Sequence, residues 1–168
     1  MALSVETAAV GILRHVVAQA RGRRPLYADP SARSRVARQL ADSCTRHQLH
    51  CVVWCVTDRC LHVVLRGRAS SITLATHELI GARLRHGHWI STLVNHDIYL
   101  LEVARHVLLA PVRAGLCRQP ADWQYSSARE SLGLRPAPPW LDPSPLHDLL
   151  GPRDAHAVQR LRRFMENG

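Results

Sequence analysis

Residues 49–56 read LHCVVWCV and residues 61–67 read LHVVLRG, with only Thr57-Asp58-Arg59-Cys60 between them. Both runs are rich in β-branched and aromatic residues, and Thr-Asp suits a turn, so the two pair as an antiparallel hairpin. Parallel pairing would need a crossover of about a dozen residues or more, which this link does not supply.

What flanks the hairpin sets the rest. Upstream, the apolar run AVGILRHVVAQ (9–19) reads as a strand that ends in the basic turn RGRRP. Asp29-Pro30 then offers a helix cap followed by proline at the first helical position, and Val36, Leu40 and Cys44 recur at four-residue spacing, which predicts a helix over 31–47. Downstream, Ser70-Ser71 caps a second helix with Ile72, Leu74, Leu79, Ile80 and Leu84 on one broad face, and Gly87 stops it. A strand, HWISTLV, follows. A third helix starts at Asn95 or Asp97 and ends at Pro111, with Ile98, Leu101, Leu108 and Leu109 as its apolar side.

Strand, helix, strand, strand, helix, strand, helix is the split βαβ order. It predicts an α+β, ferredoxin-like antiparallel sheet with helices on one face and a C-terminal helical extension. The extension comprises Trp123, a helix start at Ser126-Ser127, the connector RPAPPWLDPSP and the basic helix AHAVQRLRRFMEN. The boundary is set at 133: residues 1–133 form the principal domain, and residues 134–168 are a proline-rich connector and basic C-terminal helix. A chain of 168 residues suits one such domain.

Charge narrows the function. The net charge is +9, and every one of the 22 basic residues is an arginine. Such a surface calls for a polyanionic partner, DNA or RNA, against the simpler alternative of a merely soluble basic protein. No apolar run approaches the ~18 residues of a membrane span, and the N-terminal stretch does not read as a signal peptide, so no membrane partner is expected and cytoplasmic residence is. The 5 cysteines lack paired CxxC spacing and read as small buried hydrophobes in a reducing compartment.

His62 follows Cys60 by two positions on the second hairpin strand, so both side chains share a face and offer two metal donors, one short of a site. The alternative is a satisfied core histidine. His106 sits at the polar border of the third helix, and His15 on the first strand reads as a partly exposed side chain.

The run 102–133, EVARHVLLAPVRAGLCRQPADWQYSSARESLG, resembles the single-tyrosine HUH transposases, in particular their REP-associated tyrosine transposase branch. Arg105, Pro111, Val112, Arg113, Ala114, Gly115, Leu116, Pro120, Trp123, Ser126 and Ser127 stand where that pattern has them. The likeness extends over about 8–150 and implies a ferredoxin-like sheet. It also implies single-stranded DNA cleavage and joining, in which two histidines and a polar helix residue hold Mg or Mn on the scissile phosphate and a tyrosine attacks it. Homodimers, which occur in parts of the family, are a further expectation.

The departures fall on that machinery. Cys60 replaces the first metal histidine and His62 keeps the second. His106 replaces the tyrosine, and Ala110 replaces the helix ligand one turn on. Tyr99 and Tyr125 lie too far along the chain to substitute easily.

The resemblance and the charge together imply a transposase-like DNA-binding protein for single-stranded or hairpin DNA that has lost strand cleavage. Arg21, Arg23, Arg24, Arg83 and Arg85 are the candidate phosphate contacts, and Trp89 the candidate base-stacking residue, with Trp54 divided between stacking and core. Arg113 is read as capping its helix. Two alternatives stand beside this: a remodelled nuclease in which Cys60, His62 and His106 hold zinc or His106 acts directly, and a non-catalytic protein-interaction module.

Overall fold

The computed structural model describes residues 11–81, 87–152 and 154–166. Four strands, β1 (Ile12–Ala20), β2 (His50–Val56), β3 (Cys60–Gly67) and β4 (Gly87–Val94), form one sheet in the order β2-β3-β1-β4, antiparallel throughout. That is the ferredoxin-like order expected from the sequence. The hairpin is the β2–β3 pair, and its turn is tied by Thr57, whose Oγ1 accepts from the Cys60 amide at 3.0 Å.

Helix α1 (Pro30–Arg46) starts as its sequence dictates: the Asp29 carboxylate accepts from the Ala32 amide at 2.8 Å, and Pro30 occupies the first turn. Its stripe of Val36, Leu40 and Cys44 is buried with Ile72 and Leu79 of α2 (Ala69–Ile80) against Val16, Ala18, Leu61, Val63 and Leu65 of the sheet. The opposite sheet face, through Val53, Cys55 and Val64, takes Leu100, Val103, Val107 and Leu108 of α3 (Asp97–Arg113). The two crossover helices therefore share one face as anticipated. Helix α3 does not join them: β2 and β3 alternate apolar residues to both sides, so a second apolar layer is required, and α3 supplies it.

Three local expectations are corrected. No side-chain cap comes from Ser70 or Ser71; α2 begins at Ala69 behind Arg68 and ends at Ile80. Gly87 opens β4 rather than stopping a helix, because a Cβ there would lie 2.7 Å from the Gln19 carbonyl oxygen on the neighbouring strand. Pro111 lies inside α3, and the helix ends two residues later. Its closure is a Schellman motif at Gly115 (φ +71°), with Leu116 N–H donating to the Pro111 carbonyl and Gly115 N–H to that of Val112.

The last third of the chain covers the outer edge of β2. Trp123 Nε1 donates to the Val56 carbonyl at 2.8 Å, the amides of Cys51 and Asp142 exchange bonds with Trp140 and Cys51, and Arg66 pairs with Asp142 at 2.6 Å. Short helices α4 (Ala128–Ser131) and α5 (Ser144–Leu149) and the terminal α6 (Ala157–Glu166) follow, with Leu146 and Met165 completing the core beneath α3. Trp54 is 5% exposed and belongs to the core.

Candidate functional site

Antiparallel register brings together three histidines that are far apart in sequence. His62 faces α3 from the centre of β3. It is paired with Val17 on β1, while His15 pairs with Val64, so the two histidines are diagonal neighbours on adjacent strands. His62 Nδ1 lies 3.4 Å from His15 Nε2, and the ring centroids are 5.6 Å apart at 19°, so the two rings meet end to end through their nitrogens. His106 approaches from α3, its ring edge-on to His62 at 5.1 Å and 74°.

Arg113, two turns further along α3, reaches back to His106: Nη1 donates to His106 Nδ1 at 3.1 Å and to the His106 carbonyl at 3.2 Å. A guanidinium only donates, so Nδ1 of His106 must be the acceptor and the proton of the neutral ring sits on Nε2. This is not the cap expected of Arg113: the His106 carbonyl lies two turns before the helix end, the final carbonyls are taken by the Ala114, Gly115 and Leu116 amides, and Arg113 serves the C-terminus only by placing its charge in the last turn.

Electrostatics hold all three rings neutral. Burial pushes His62 down to about 3, helped by His15, His106 and Arg113. Burial, with His106 adding, brings His15 to about 4. His106 is lowered by burial and then by the Arg113 guanidinium. Cys60 is a protonated thiol, its pKa raised chiefly by burial.

These groups line two adjoining hollows. One, of about 440 Å³, is walled by Gln19, Arg59, Cys60, His62 and Ala110; the other, of about 370 Å³, by His15, Tyr99, Glu102 and Arg105; His106 and Arg113 belong to both. At the mouth of the first, Arg59 donates to the Gly22 and Arg23 carbonyls at 2.5 and 3.3 Å, clamping the loop that carries Arg21, Arg23 and Arg24 against the β2–β3 turn. All three loop arginines are exposed.

Cys60, His62 and His106 thus line one cleft, and the loop of Arg21, Arg23 and Arg24 is tethered to its wall through Arg59 without lining it. Trp89 lies elsewhere: paired with Ala18, it points to the α1/α2 face, half-buried and edge-on to His77 at 5.8 Å. Arg83 and Arg85 lie outside the described residues. His15 joins His62 and His106 while remaining partly exposed, as its strand position suggests. Its signal was available, since the ferredoxin-like order sets β1 beside β3 and alternation puts His15 on the His62 face.

The divalent-metal centre implied by the resemblance does not fit these residues. Ala110 offers no donor, Nδ1 of His106 is occupied, His62 Nδ1 faces His15, and a guanidinium stands beside them. Among the described residues, no three His, Cys, Asp or Glu side chains are placed to hold a metal ion.

Neither protein-family models nor curated proteins give a match to this chain. Among solved structures, the chain is similar to a REP-associated tyrosine transposase bound to a REP hairpin, at 15% identity and a TM-score of 0.59, over 84% of this chain and 94% of that one. At that identity the likeness establishes the fold.

Proposed function

We propose that the chain is a transposase-like DNA-binding protein that grips single-stranded or hairpin DNA and no longer cleaves or joins it. The observation that carries this is the composition of the cleft between β3 and α3. At the positions where the HUH resemblance calls for a metal histidine, a nucleophilic tyrosine and a helix ligand, it presents Cys60, His106 and Ala110 beside a retained His62, with basic side chains around them. Imidazole cannot form the phosphotyrosine on which that chemistry depends, and alanine binds no metal. The fold neighbour was solved bound to a REP hairpin, and the +9 charge suits a nucleic-acid partner.

Arg21, Arg23 and Arg24 supply the first phosphate contacts, with Arg83 and Arg85 as further ones and Trp89 as an outlying stacking residue. Residues 1–133 carry this role, in the cytoplasm, and residues 134–168 brace it. If the three loop arginines each neutralise one phosphate, single-strand affinity falls by ~20-fold between about 50 and 200 mM salt.

The test is a binding and cleavage assay on labelled single-stranded hairpins and matched duplexes with magnesium, manganese, zinc or chelator, read by mobility and on a denaturing gel. Salt-sensitive binding without cut or covalent adduct is the expected result. One observation favours a second reading, a remodelled nuclease: Cys60, His62 and His106 do share a cleft. A metal-dependent cut abolished by His106→Ala or His62→Ala would establish that reading. Salt-insensitive or absent binding would favour a protein-interaction module instead.

A further inference from the structure

A phosphate entering this cleft meets no metal centre of the implied kind, yet it meets a built set of donors. We infer that Arg113, His106 and Arg59 form a metal-free clamp for one phosphodiester of a single DNA strand, with Tyr99 in the adjoining hollow taking the neighbouring base. This rests on the DNA-binding reading and says how the same site recognises its ligand.

The clamp follows from two fixed geometries. On the α3 side, the contacts from Arg113 Nη1 to both Nδ1 and the carbonyl of His106 hold the guanidinium over the last turns of the helix. The same contacts commit His106 to the tautomer with Nε2–H, so a cation and a neutral N–H donor stand side by side, the combination a phosphate oxygen accepts from. On the sheet side, Arg59 is fixed by the Gly22 and Arg23 carbonyls and enters the same cleft wall.

Asp58 also lines that wall, offsetting part of the charge of Arg59. Arg113 is therefore the decisive cation, and among the described residues it pairs with no carboxylate. In the second hollow, the Glu102 charge is met by Arg105 at 2.6 Å, which leaves Tyr99, 36% exposed, as the aromatic surface there. Because His106 and Arg113 wall both hollows, a phosphate bound to them places its neighbouring nucleoside towards Tyr99. That continuity favours a strand over a free phosphate, and aromatic surfaces take unpaired bases without sequence preference.

The experiment uses the full chain and a fluorescent octathymidylate in chelator, read by anisotropy at about 50 and 200 mM salt. Controls are the same oligomer with neutral methylphosphonate linkages, and inorganic phosphate as competitor. Binding should persist in chelator and be lost with the neutral backbone. Arg113→Gln and His106→Phe should each weaken it about tenfold, with His106→Gln, which keeps an N–H, recovering part of the loss. Arg113→Gln should also lower the salt slope by ~0.7. Tyr99→Leu should cost about fivefold or more on the oligomer while leaving phosphate competition unchanged.

Full affinity in both Arg113→Gln and His106→Phe, alongside weakened binding in an Arg21/Arg23/Arg24→Gln triple variant, would overturn the clamp and leave DNA binding standing. A strict requirement for manganese would also overturn it. Equal binding of the neutral backbone would move the site away from phosphate altogether. Failure of the unsubstituted chain to bind any oligomer would remove the DNA-binding reading and the clamp together.

Discussion

His62 carries the clearest consequence of burying an imidazole without a charged partner. Its folded-state pKa is held near 3, against about 6.5 for an unperturbed side chain, and that of His15 near 4. Below pH 6.5 the unfolded chain therefore binds protons that the folded chain refuses, and stability falls as pH falls. The contribution is complete above 6.5 and is lost progressively towards pH 3. A histidine buried this way costs about 2 kcal/mol between pH 7 and pH 5. Urea unfolding at the two pH values should show a larger loss in the unsubstituted protein, where His15 adds to His62, than in His62→Leu, in which only His15 and His106 remain depressed. An equal pH dependence in both would sink the assignment. The residue identities behind this were legible: Cys60, His62, His106 and Ala110 were singled out from the sequence. The tautomer of His106 was not, because it depends on Arg113 folding back over seven residues, a contact that sequence spacing leaves unspecified.

At the level of elements, the hairpin and α1 were readable because their signals are local: β-branched runs around a short turn, and an Asp-Pro start with a four-residue stripe. The two misplaced stops show where local signals fail. Glycine has more than one use, and Gly87 is needed for close approach of two strands while Gly115 is needed for a positive φ. The two glycines should respond differently to alanine. Gly115→Ala meets no neighbouring atom within 4 Å and carries only the backbone strain of φ +71°, about 1 kcal/mol. Gly87→Ala has an acceptable backbone but drives its Cβ to 2.7 Å from the Gln19 carbonyl and 3.2 Å from Leu26, so β4 must shift, at about 2–3 kcal/mol. Chemical denaturation of the two variants checks the order; Gly115→Ala as the more damaging change would contradict the packing seen around Gly87.

For the whole molecule, the antiparallel α+β sheet was legible from element order alone, whereas the second layer was not. Helix α3 was seen as an appendage to the sheet, and nothing in a single strand's alternation says which helix covers its far side. The structure answers through the last third of the chain, which does more than trail behind the sheet. It pairs with β2 through Cys51 and caps the core under α3 with Leu146 and Met165. Helix α3 carries His106 and Arg113, so the extension stands behind the cleft as a brace. Leu161 tests this from a distance: it is 1% exposed on α6, a helix that contributes no residue to either hollow. Leu161→Ala should destabilise the protein by about 2–5 kcal/mol. If α3 and the extension form one cooperative unit, amide exchange should accelerate along α3 as well as in α6. Acceleration confined to α6, with α3 amides as protected as before, would show that the terminal helix is stabilised by its own packing and that the cleft does not depend on it.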